Sequence, residues 1–206
     1  MERVGILGGT FDPPHLGHLI LAEYAVEALD LSCLLLVPAA DPPHKQQEKN
    51  TLVKHRLAML ELAIGGTNRF TLSRVDVDRP GPHYSVDMVK IVQGQYPGAE
   101  LYFVMGGDSL RDLTRWYHPA ELIQLCRLAV MHRPGDHARA YMHEEVLPGI
   151  SERVVMIDAP LIGISATEII TRLQSGYSVR YLVPDAVLDY ICVHQLYGKN
   201  PDEMCE

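Results

Sequence analysis

Short apolar segments alternate with longer segments of helical period along the first three quarters of the chain. Residues 4–7 and 33–37 are apolar runs of strand length, and between them apolar residues recur at helical spacing, beginning at Leu19 and ending at Leu29. A buried strand, a helix and a second buried strand make a β-α-β unit, whose two strands are parallel. The pattern therefore predicts a parallel sheet with crossover helices.

The same alternation continues to about residue 157. Apolar runs predict further buried strands at 70–77, 101–105, 128–131 and 154–157. The helices expected between them are one capped by Asn50 and ending at Ala63, one capped by Ser85 and ending at Tyr96, and one over 138–146. Each expected helix joins two expected strands, as a parallel sheet requires.

The last quarter of the chain has a helical character instead. Ser165 and Glu168 form a capping box that opens a helix, and Gly176 is suited to close it. Pro184 suits the first turn of a last helix that runs to about Gln195.

These patterns predict the domain organisation. We expect a helical C-terminal portion over residues 164–198, followed by a tail over 199–206. Because no repeat, low-complexity tract or linker divides the chain, we expect one α/β domain over 1–206.

Charge and composition narrow the class of protein. The 206 residues include 18 Lys and Arg against 26 Asp and Glu, and the formal net charge of -8 argues against a general nucleic-acid binder. No apolar stretch approaches the roughly 18 residues that a membrane span needs, since Pro38 interrupts the most apolar run. The N-terminus lacks the basic and apolar regions of a secretory signal. We therefore expect a cytoplasmic protein with no membrane or nucleic-acid partner.

The cysteines indicate no special chemistry. Cys33, Cys126, Cys192 and Cys205 stand far apart, without a C-x-x-C pair or a nearby His/Cys cluster. Neither a zinc site nor a disulfide framework is indicated, and reduced thiols are expected.

The loop after the first strand concentrates polar residues and glycines. It reads GGTFDPPHLGH over residues 8–18 and leads into the first long helix. Paired glycines let a ligand approach the backbone, and a helix N-terminus offers unpaired N–H groups to a phosphate. Because the loop has neither G-x-G-x-x-G nor a Walker lysine, it supports neither a dinucleotide fold nor a P-loop.

His15 and His18 are three residues apart at the start of this helix, which places both imidazoles on one face. Such a pair can donate hydrogen bonds to anionic oxygens. A cap or surface role is the ordinary alternative for one histidine. A zinc site is a weaker alternative, because no third ligand with metal-site spacing is evident nearby.

This string resembles the G-x-F-D-P-x-H-x-G-H signature of the nucleotidyltransferase superfamily. Further motifs stand in the order found in bacterial nicotinate-nucleotide adenylyltransferases, which nearly the whole chain resembles. They are PPHK at 42–45, RPGPHYSVD at 79–87, GGD at 106–108, WY at 116–117, HRPG at 132–135, ISAT at 164–167, YLVP at 181–184 and YI at 190–191.

The resemblance implies a fold and a reaction. The fold is a Rossmann-like, doubly wound parallel sheet with a helical C-terminal portion. The reaction joins nicotinate mononucleotide to the AMP moiety of ATP and gives deamido-NAD and pyrophosphate. The alternatives are the same transfer to nicotinamide mononucleotide or phosphopantetheine, and a regulatory nucleotide-binding module that has lost catalysis. The oligomeric state and the preference for acid over amide stay open.

The resemblance also implies roles for individual residues. Expected catalytic residues are His15, His18 and Lys45. Expected ATP-binding residues are Gly8, Gly9, Thr10, Phe11, His15, His18, Gly106, Asp108, Arg133, Ile164, Ser165 and Thr167. Expected residues for the nicotinate nucleotide are Lys45, Tyr84, Ser85, Asp108, Trp116 and Tyr117.

Several of these residues have ordinary alternatives. Lys45 would otherwise be a solvated loop lysine and Asp108 a helix N-cap. Trp116 would otherwise belong to the core. Ser165 would serve only as a helix cap.

The chain departs from the family pattern I-S-S-T-x-I-R. Ala166 replaces the second serine, and Ile170 stands where the arginine is expected. Arg172 points to a different side of a regular helix, so Arg133 is expected to contribute more of the positive charge that binds the triphosphate. We therefore expect weakened ATP binding with the reaction type unchanged.

An acidic protein that binds two polyanions needs local positive potential. His15, His18, Lys45 and Arg133 are candidates to supply it. The expected cofactor is Mg²⁺ carried by the phosphates, since no carboxylate cluster indicates a dedicated protein site.

Overall fold

The computed structural model describes residues 1–40, 51–132, 138–160 and 162–198. Six strands form one all-parallel sheet in the order β3-β2-β1-β4-β5-β6. They are β1 Arg3–Gly9, β2 Cys33–Pro38, β3 Phe70–Leu72, β4 Glu100–Gly106, β5 Arg127–His132 and β6 Val154–Asp158. This is the strand order of a doubly wound Rossmann-like sheet, and it confirms the predicted fold class.

The helices lie between and after the strands. They are α1 Leu16–Leu29, α2 Val53–Ile64, α3 Ser85–Gln95, α4 Gly107–Asp112, α5 Pro119–Leu125, α6 Ile150–Arg153, α7 Ala166–Gln174 and α8 Asp185–Val193, with a 3-10 turn at Leu113–Arg115. Helices α4, α5 and α6 are too short for periodicity to have predicted them.

The described chain divides into two compact units. Unit 1 consists of residues 1–9, 21–39 and 68–161, and unit 2 of residues 10–20, 40–67 and 162–206. The prediction of a single domain stays a prediction.

Each unit has its own apolar cluster. In unit 1, buried strand residues such as Ile6, Leu35 and Phe103 occupy neighbouring register positions and pack with residues of α3 and α5. In unit 2, Met59 of α2 packs with residues of α7 and α8, including Ile169. Because the parallel strands carry apolar residues on both faces, they appear in the sequence as continuous apolar runs.

Two predicted elements are wrong in extent. Strand β3 ends at Leu72, because the chain then turns, with Asp78 N–H donating to the Arg74 carbonyl. Val75 is buried by packing outside the strand. The helix predicted over 138–146 is absent: these residues form successive turns, and His143 has φ of 73°, which a right-handed helix does not allow.

The predicted helix boundaries are wrong by one or more residues. Tyr84, with extended backbone, is the residue before α3, so Ser85 is its first residue and not its cap. Helix α2 begins after Leu52; Asn50 lies outside the described residues. Pro184 likewise precedes α8, which ends at Val193.

In α7 the sequence signals are confirmed. The Ser165 hydroxyl accepts a hydrogen bond from Glu168 N–H at 3.2 Å. Gly176 follows the helix with φ of 75°, the left-handed conformation that glycine adopts at helix ends.

Among the described residues, no helix is both long and apolar enough to cross a membrane. Cys33 and Cys126 are free thiols, and burial raises the pKa of Cys126 to about 12. Cys192 is disulfide-bonded, which corrects the expectation that the thiols are reduced.

Candidate active site

Glycines end two neighbouring strands at the carboxyl edge of the sheet in unit 1. Strand β1 pairs with β2 on one side and with β4 on the other, and it ends at Gly9 opposite Pro38. The chain order reverses between β1 and β4, where open α/β sheets bind their ligands. A Cβ atom built at Gly8 has no described atom within 4 Å, so the space beside this glycine is open to a ligand.

Gly106 and Asp108 lie at the end of β4. Gly106 is the residue that precedes α4, and Asp108 is already inside the helix without a side-chain cap bond. The N-cap alternative for Asp108 is therefore wrong. A Cβ atom at residue 106 would stand 2.5 Å from Asp108 Oδ1, so this glycine lets the carboxylate fold over the end of the strand. The exposed carboxylate can accept hydrogen bonds from sugar hydroxyls.

In unit 2, the histidine loop, defined as residues 10–18, carries the two predicted histidines. Their rings stack with centroids 3.7 Å apart and 23° between the planes. His15 N–H donates to His18 Nδ1 at 3.2 Å. The edge of Phe11 contacts the His18 ring, with centroids 4.9 Å apart. Stacked rings, one with Nδ1 already engaged, do not converge on a metal ion as a zinc site would require.

Burial keeps both imidazoles neutral at pH 7. Desolvation lowers the pKa of His15 to about 4, and desolvation together with the neighbouring His15 lowers the pKa of His18 to about 3. The expectation that His15 and His18 supply positive charge is therefore wrong at pH 7. Because Nδ1 of neutral His18 accepts a hydrogen bond, its proton resides on Nε2, which is left as a donor.

Gly17 makes room for this arrangement. A Cβ atom at residue 17 would lie 3.0 Å from two atoms of the His15 ring and 3.4 Å from Ile162 Cγ2. The His15 ring thus packs directly against the backbone of the first turn of α1.

The histidine loop is held by Arg56, Thr51 and Tyr197, which the sequence patterns did not single out. Arg56, only 1% exposed, donates from NH1 to the Thr10 carbonyl at 2.8 Å. The Asp12 carboxylate accepts hydrogen bonds from Thr51 N–H at 2.9 Å and from the Tyr197 hydroxyl. In the sequence, Arg56 is one cation in a helical segment and Tyr197 one aromatic residue near the C-terminus, so neither carries a recognisable signal.

The start of α7 supplies the other predicted triphosphate contacts. Ser165 is exposed and caps the helix, and Thr167 is exposed in its first turn. Arg172 donates from Nε and NH2 to the Ser178 carbonyl at 3.1 and 3.0 Å. This confirms that Arg172 is directed elsewhere and does not replace the arginine expected at Ile170.

The predicted aromatic residues of unit 1 take two different roles. Tyr84 and Tyr117, hereafter the tyrosine pair, are exposed and stack on each other with centroids 4.0 Å apart. Trp116 packs partly buried against the core, its ring edge-on to Phe103. The core alternative for Trp116 is therefore confirmed, while the two tyrosines offer an accessible aromatic surface.

A buried ion pair shapes the backbone leading to Tyr84. Arg79 pairs with Asp76 at 2.6 Å and donates to the carbonyls of Pro82 and Tyr84 at 2.9 and 3.1 Å. The motif residues at 79–84 thus fix the position of Tyr84, and Ser85 begins α3 beside it.

Two predicted site residues, Lys45 and Arg133, lie outside the described residues. Within the described ranges, no group of three or more His, Cys, Asp or Glu side chains is placed to hold a metal ion.

Comparisons with known proteins identify the family of the chain. The family described as cytidylyltransferase-like matches residues 6–172. A protein of Thermomicrobium roseum named "Probable nicotinate-nucleotide adenylyltransferase" is 46% identical over 197 residues, which cover 96% of this chain and 92% of that protein. A protein of the same name from Herpetosiphon aurantiacus is 43% identical, with coverage of 96% and 99%.

A solved structure with the same fold is that of Plasmodium falciparum nicotinic acid mononucleotide adenylyltransferase complexed with NaAD. Its TM-score is 0.75 at 18% identity, with coverage of 96% of this chain and 98% of that one. The complex of the same enzyme with APC has a TM-score of 0.74, also at 18% identity.

Proposed function

The chain belongs to the cytidylyltransferase-like family and, within it, to the nicotinate-nucleotide adenylyltransferases, and from this premise we propose how its residues carry out the reaction. The enzyme joins nicotinate mononucleotide to the AMP moiety of ATP, giving deamido-NAD and pyrophosphate in NAD biosynthesis. The single observation that supports the proposed mechanism best is the bond from the His15 backbone N–H to His18 Nδ1, because it leaves the proton of the neutral His18 ring on Nε2 as a donor.

The transfer is a direct in-line displacement without a covalent enzyme intermediate. A phosphate oxygen of the mononucleotide forms a bond to the α-phosphorus of ATP, and the bond from that phosphorus to the β-phosphate oxygen breaks as pyrophosphate leaves. Charge develops on the α-phosphoryl oxygens, where the His18 Nε2–H donates. A donor already fixed in position requires no reorganisation during the reaction.

Other residues are proposed to complete the binding of the triphosphate. His15 supports the His18 ring by stacking, and Gly8 and Gly9 allow the nucleotide to approach the backbone. Ile164, Ser165 and Thr167 offer backbone N–H and hydroxyl groups at the start of α7. Lys45 and Arg133, which lie outside the described residues, would supply cations for the phosphates.

The tyrosine pair and Asp108 bind the pyridine ring and the ribose. An exposed aromatic surface suits the flat pyridine ring, and the carboxylate of Asp108 accepts from ribose hydroxyls. Trp116 packs against the core and does not itself need to touch the pyridine ring.

The donor set fits a divalent cation carried by the substrate. Both histidines are neutral, and Arg56 is committed to backbone carbonyls, so these side chains leave much of the triphosphate charge unbalanced. Phosphate-bound Mg²⁺ would neutralise part of that charge when bound. We further propose that the enzyme works in the cytoplasm. Its net charge of -8 favours a protein without nucleic-acid partners.

An acceptor assay tests the function. Pyrophosphate release from ATP and Mg²⁺ is measured separately with nicotinate mononucleotide, nicotinamide mononucleotide and phosphopantetheine. The highest kcat/KM is expected with nicotinate mononucleotide. Activity with phosphopantetheine alone would overturn the assignment, and ATP binding without turnover on any acceptor would make the protein a regulator.

A further inference from the structure

We propose that Arg56 and Tyr197 are positioning residues that hold the histidine loop in the conformation that binds ATP. The inference rests on the proposed function, because ATP binding by this loop is part of it. Neither residue has to touch the nucleotide; each acts through a loop residue that it contacts directly.

Arg56 determines the orientation of the peptide between Thr10 and Phe11. Its guanidinium donates to the Thr10 carbonyl at 2.8 Å and to the Thr51 carbonyl at 3.2 Å. The Thr10–Phe11 peptide is trans, and in a trans peptide the C=O and N–H groups point in opposite directions. The Phe11 N–H is therefore turned away from Arg56, where a phosphate oxygen can accept it.

The backbone at Phe11 needs this support. Its φ of 50° lies in the left-handed region, which is unfavourable for a bulky side chain. Such a residue keeps its conformation only when its surroundings impose it. Arg56 supplies one such constraint immediately before Phe11, and the Asp12 side chain supplies another immediately after it.

Tyr197 fastens the second constraint. The Asp12 carboxylate is 3% exposed and accepts from both Thr51 N–H and the Tyr197 hydroxyl. Burial and the nearby Asp12 carboxylate raise the pKa of Tyr197, so the hydroxyl stays protonated and remains a donor. The C-terminal segment that follows α8 is thereby tied to the nucleotide-binding loop.

The effect reaches the reacting group through Phe11. The Phe11 ring contacts His18 with centroids 4.9 Å apart, so a shift of this residue moves the surface against which the His18 donor packs. A displacement of a few tenths of an ångström matters, since the donor must meet an oxygen within normal hydrogen-bond distance.

The test compares two tyrosines of the C-terminal segment. Tyr197→Phe removes only the hydroxyl that binds Asp12. Tyr190→Phe is the matched control, because the Tyr190 hydroxyl is also hydrogen-bonded, at 3.0 Å to His55 Nδ1, and His55 is not a residue of the histidine loop. The second variant is Arg56→Lys, which keeps the positive charge and loses the planar set of guanidinium N–H donors. Its control is Arg74→Lys, because Arg74 is an exposed arginine paired with Asp78.

The measurements are hydrogen exchange of the peptide over residues 8–18, the dissociation constant for ATP, and steady-state kinetics. In Tyr197→Phe and Arg56→Lys we expect faster exchange in this peptide and about tenfold weaker ATP binding, with KM for ATP rising more than kcat falls. Tyr190→Phe and Arg74→Lys should change each value less than twofold.

The outcomes separate this inference from the proposed function. Unchanged exchange and ATP affinity in Tyr197→Phe and Arg56→Lys overturn the positioning role, even if the wild type is fully active. If either variant loses ATP affinity only together with global unfolding, seen as exchange throughout unit 2, the residues are structural and the proposal is wrong. If the wild type releases no pyrophosphate with any acceptor, the proposed function fails, while loop exchange and ATP binding still judge the positioning role.

Discussion

The histidine loop and the tyrosine pair differ in burial and in hydrogen bonding. His15 and Asp12 are buried, and backbone or side-chain hydrogen bonds define their neighbours before any ligand arrives. Tyr84 and Tyr117 are exposed and stack on each other, and the Tyr117 ring also contacts His118. The first region presents buried groups fixed by hydrogen bonds, and the second presents an exposed aromatic surface.

This difference corresponds to the two tasks of the reaction. Stabilising charge in a transition state requires donors that do not reorganise, and burial with fixed hydrogen bonds supplies them. Recognising a flat ring requires only a stacking surface. Ring centroids 4.0 Å apart leave no room for a third ring between the tyrosines, so the acceptor must either separate them or stack on an outer face.

The largest expected effect is at the donor itself. His18→Ala should lower kcat by about 10²-fold or more, the scale for losing one preorganised transition-state donor. His194→Ala serves as the control, because His194 is exposed and its ring contacts His55 and Tyr190. Normal kcat in a folded His18→Ala protein would show that His18 has no part in the mechanism. The contrast between the histidine loop and the tyrosine pair would then have no catalytic meaning.

A smaller effect is expected at the tyrosine pair. Tyr117→Ala removes one ring of the stack and should raise KM for nicotinate mononucleotide about five- to tenfold, with KM for ATP unchanged. Tyr117→Phe should retain most of the affinity, and Tyr24→Ala on α1 controls for loss of an exposed tyrosine. An equal change in both Michaelis constants would contradict the assignment of this surface to the acceptor.

Residue 170 tests whether the triphosphate-binding residues of α7 lack a cation. Ile170→Arg should lower KM for ATP about threefold, because a guanidinium at this position of α7 can pair with the triphosphate. Ile170→Gln controls for polarity without charge. An unchanged KM for ATP in the arginine variant would contradict the expectation that the loss of this arginine weakens ATP binding.

The smallest effect is a pH dependence of stability from the buried histidine loop. The pKa of His15 is about 4 in the folded protein against 6.5 unfolded, so the unfolded chain binds the additional proton between these values. Stability from this group is complete above pH 6.5 and decreases by about 1 kcal/mol per pH unit toward pH 4. Urea unfolding is measured at pH 7.5 and 5.5. The free energy of unfolding should fall more between these pH values in the wild type than in His15→Gln. Equal losses would indicate that His15 is not desolvated.

The pattern of apolar runs was sufficient for the sheet. Strands β1, β2, β4, β5 and β6 each contain a predicted apolar run, because a strand buried on both faces leaves a run in the sequence. Strand β3 was overestimated, since Val75 is buried for packing reasons that periodicity does not distinguish from a strand. The turns at 138–146 were mistaken for a helix because their residues favour helix individually, while His143 takes a left-handed conformation.

The sequence alone determined the identity of the chemical groups: glycines at a strand end, two histidines on one helical turn and a family-specific order of motifs. Only the tertiary structure decided their state. Burial makes His15 and His18 neutral, the bond to His18 Nδ1 selects its donor atom, and Arg56 and Tyr197 reach the loop from residues 46 and 185 positions away from their partners Thr10 and Asp12. Protonation and positioning depend on which groups the fold brings into contact and on how much water it removes, and neither is encoded in the local order of residues.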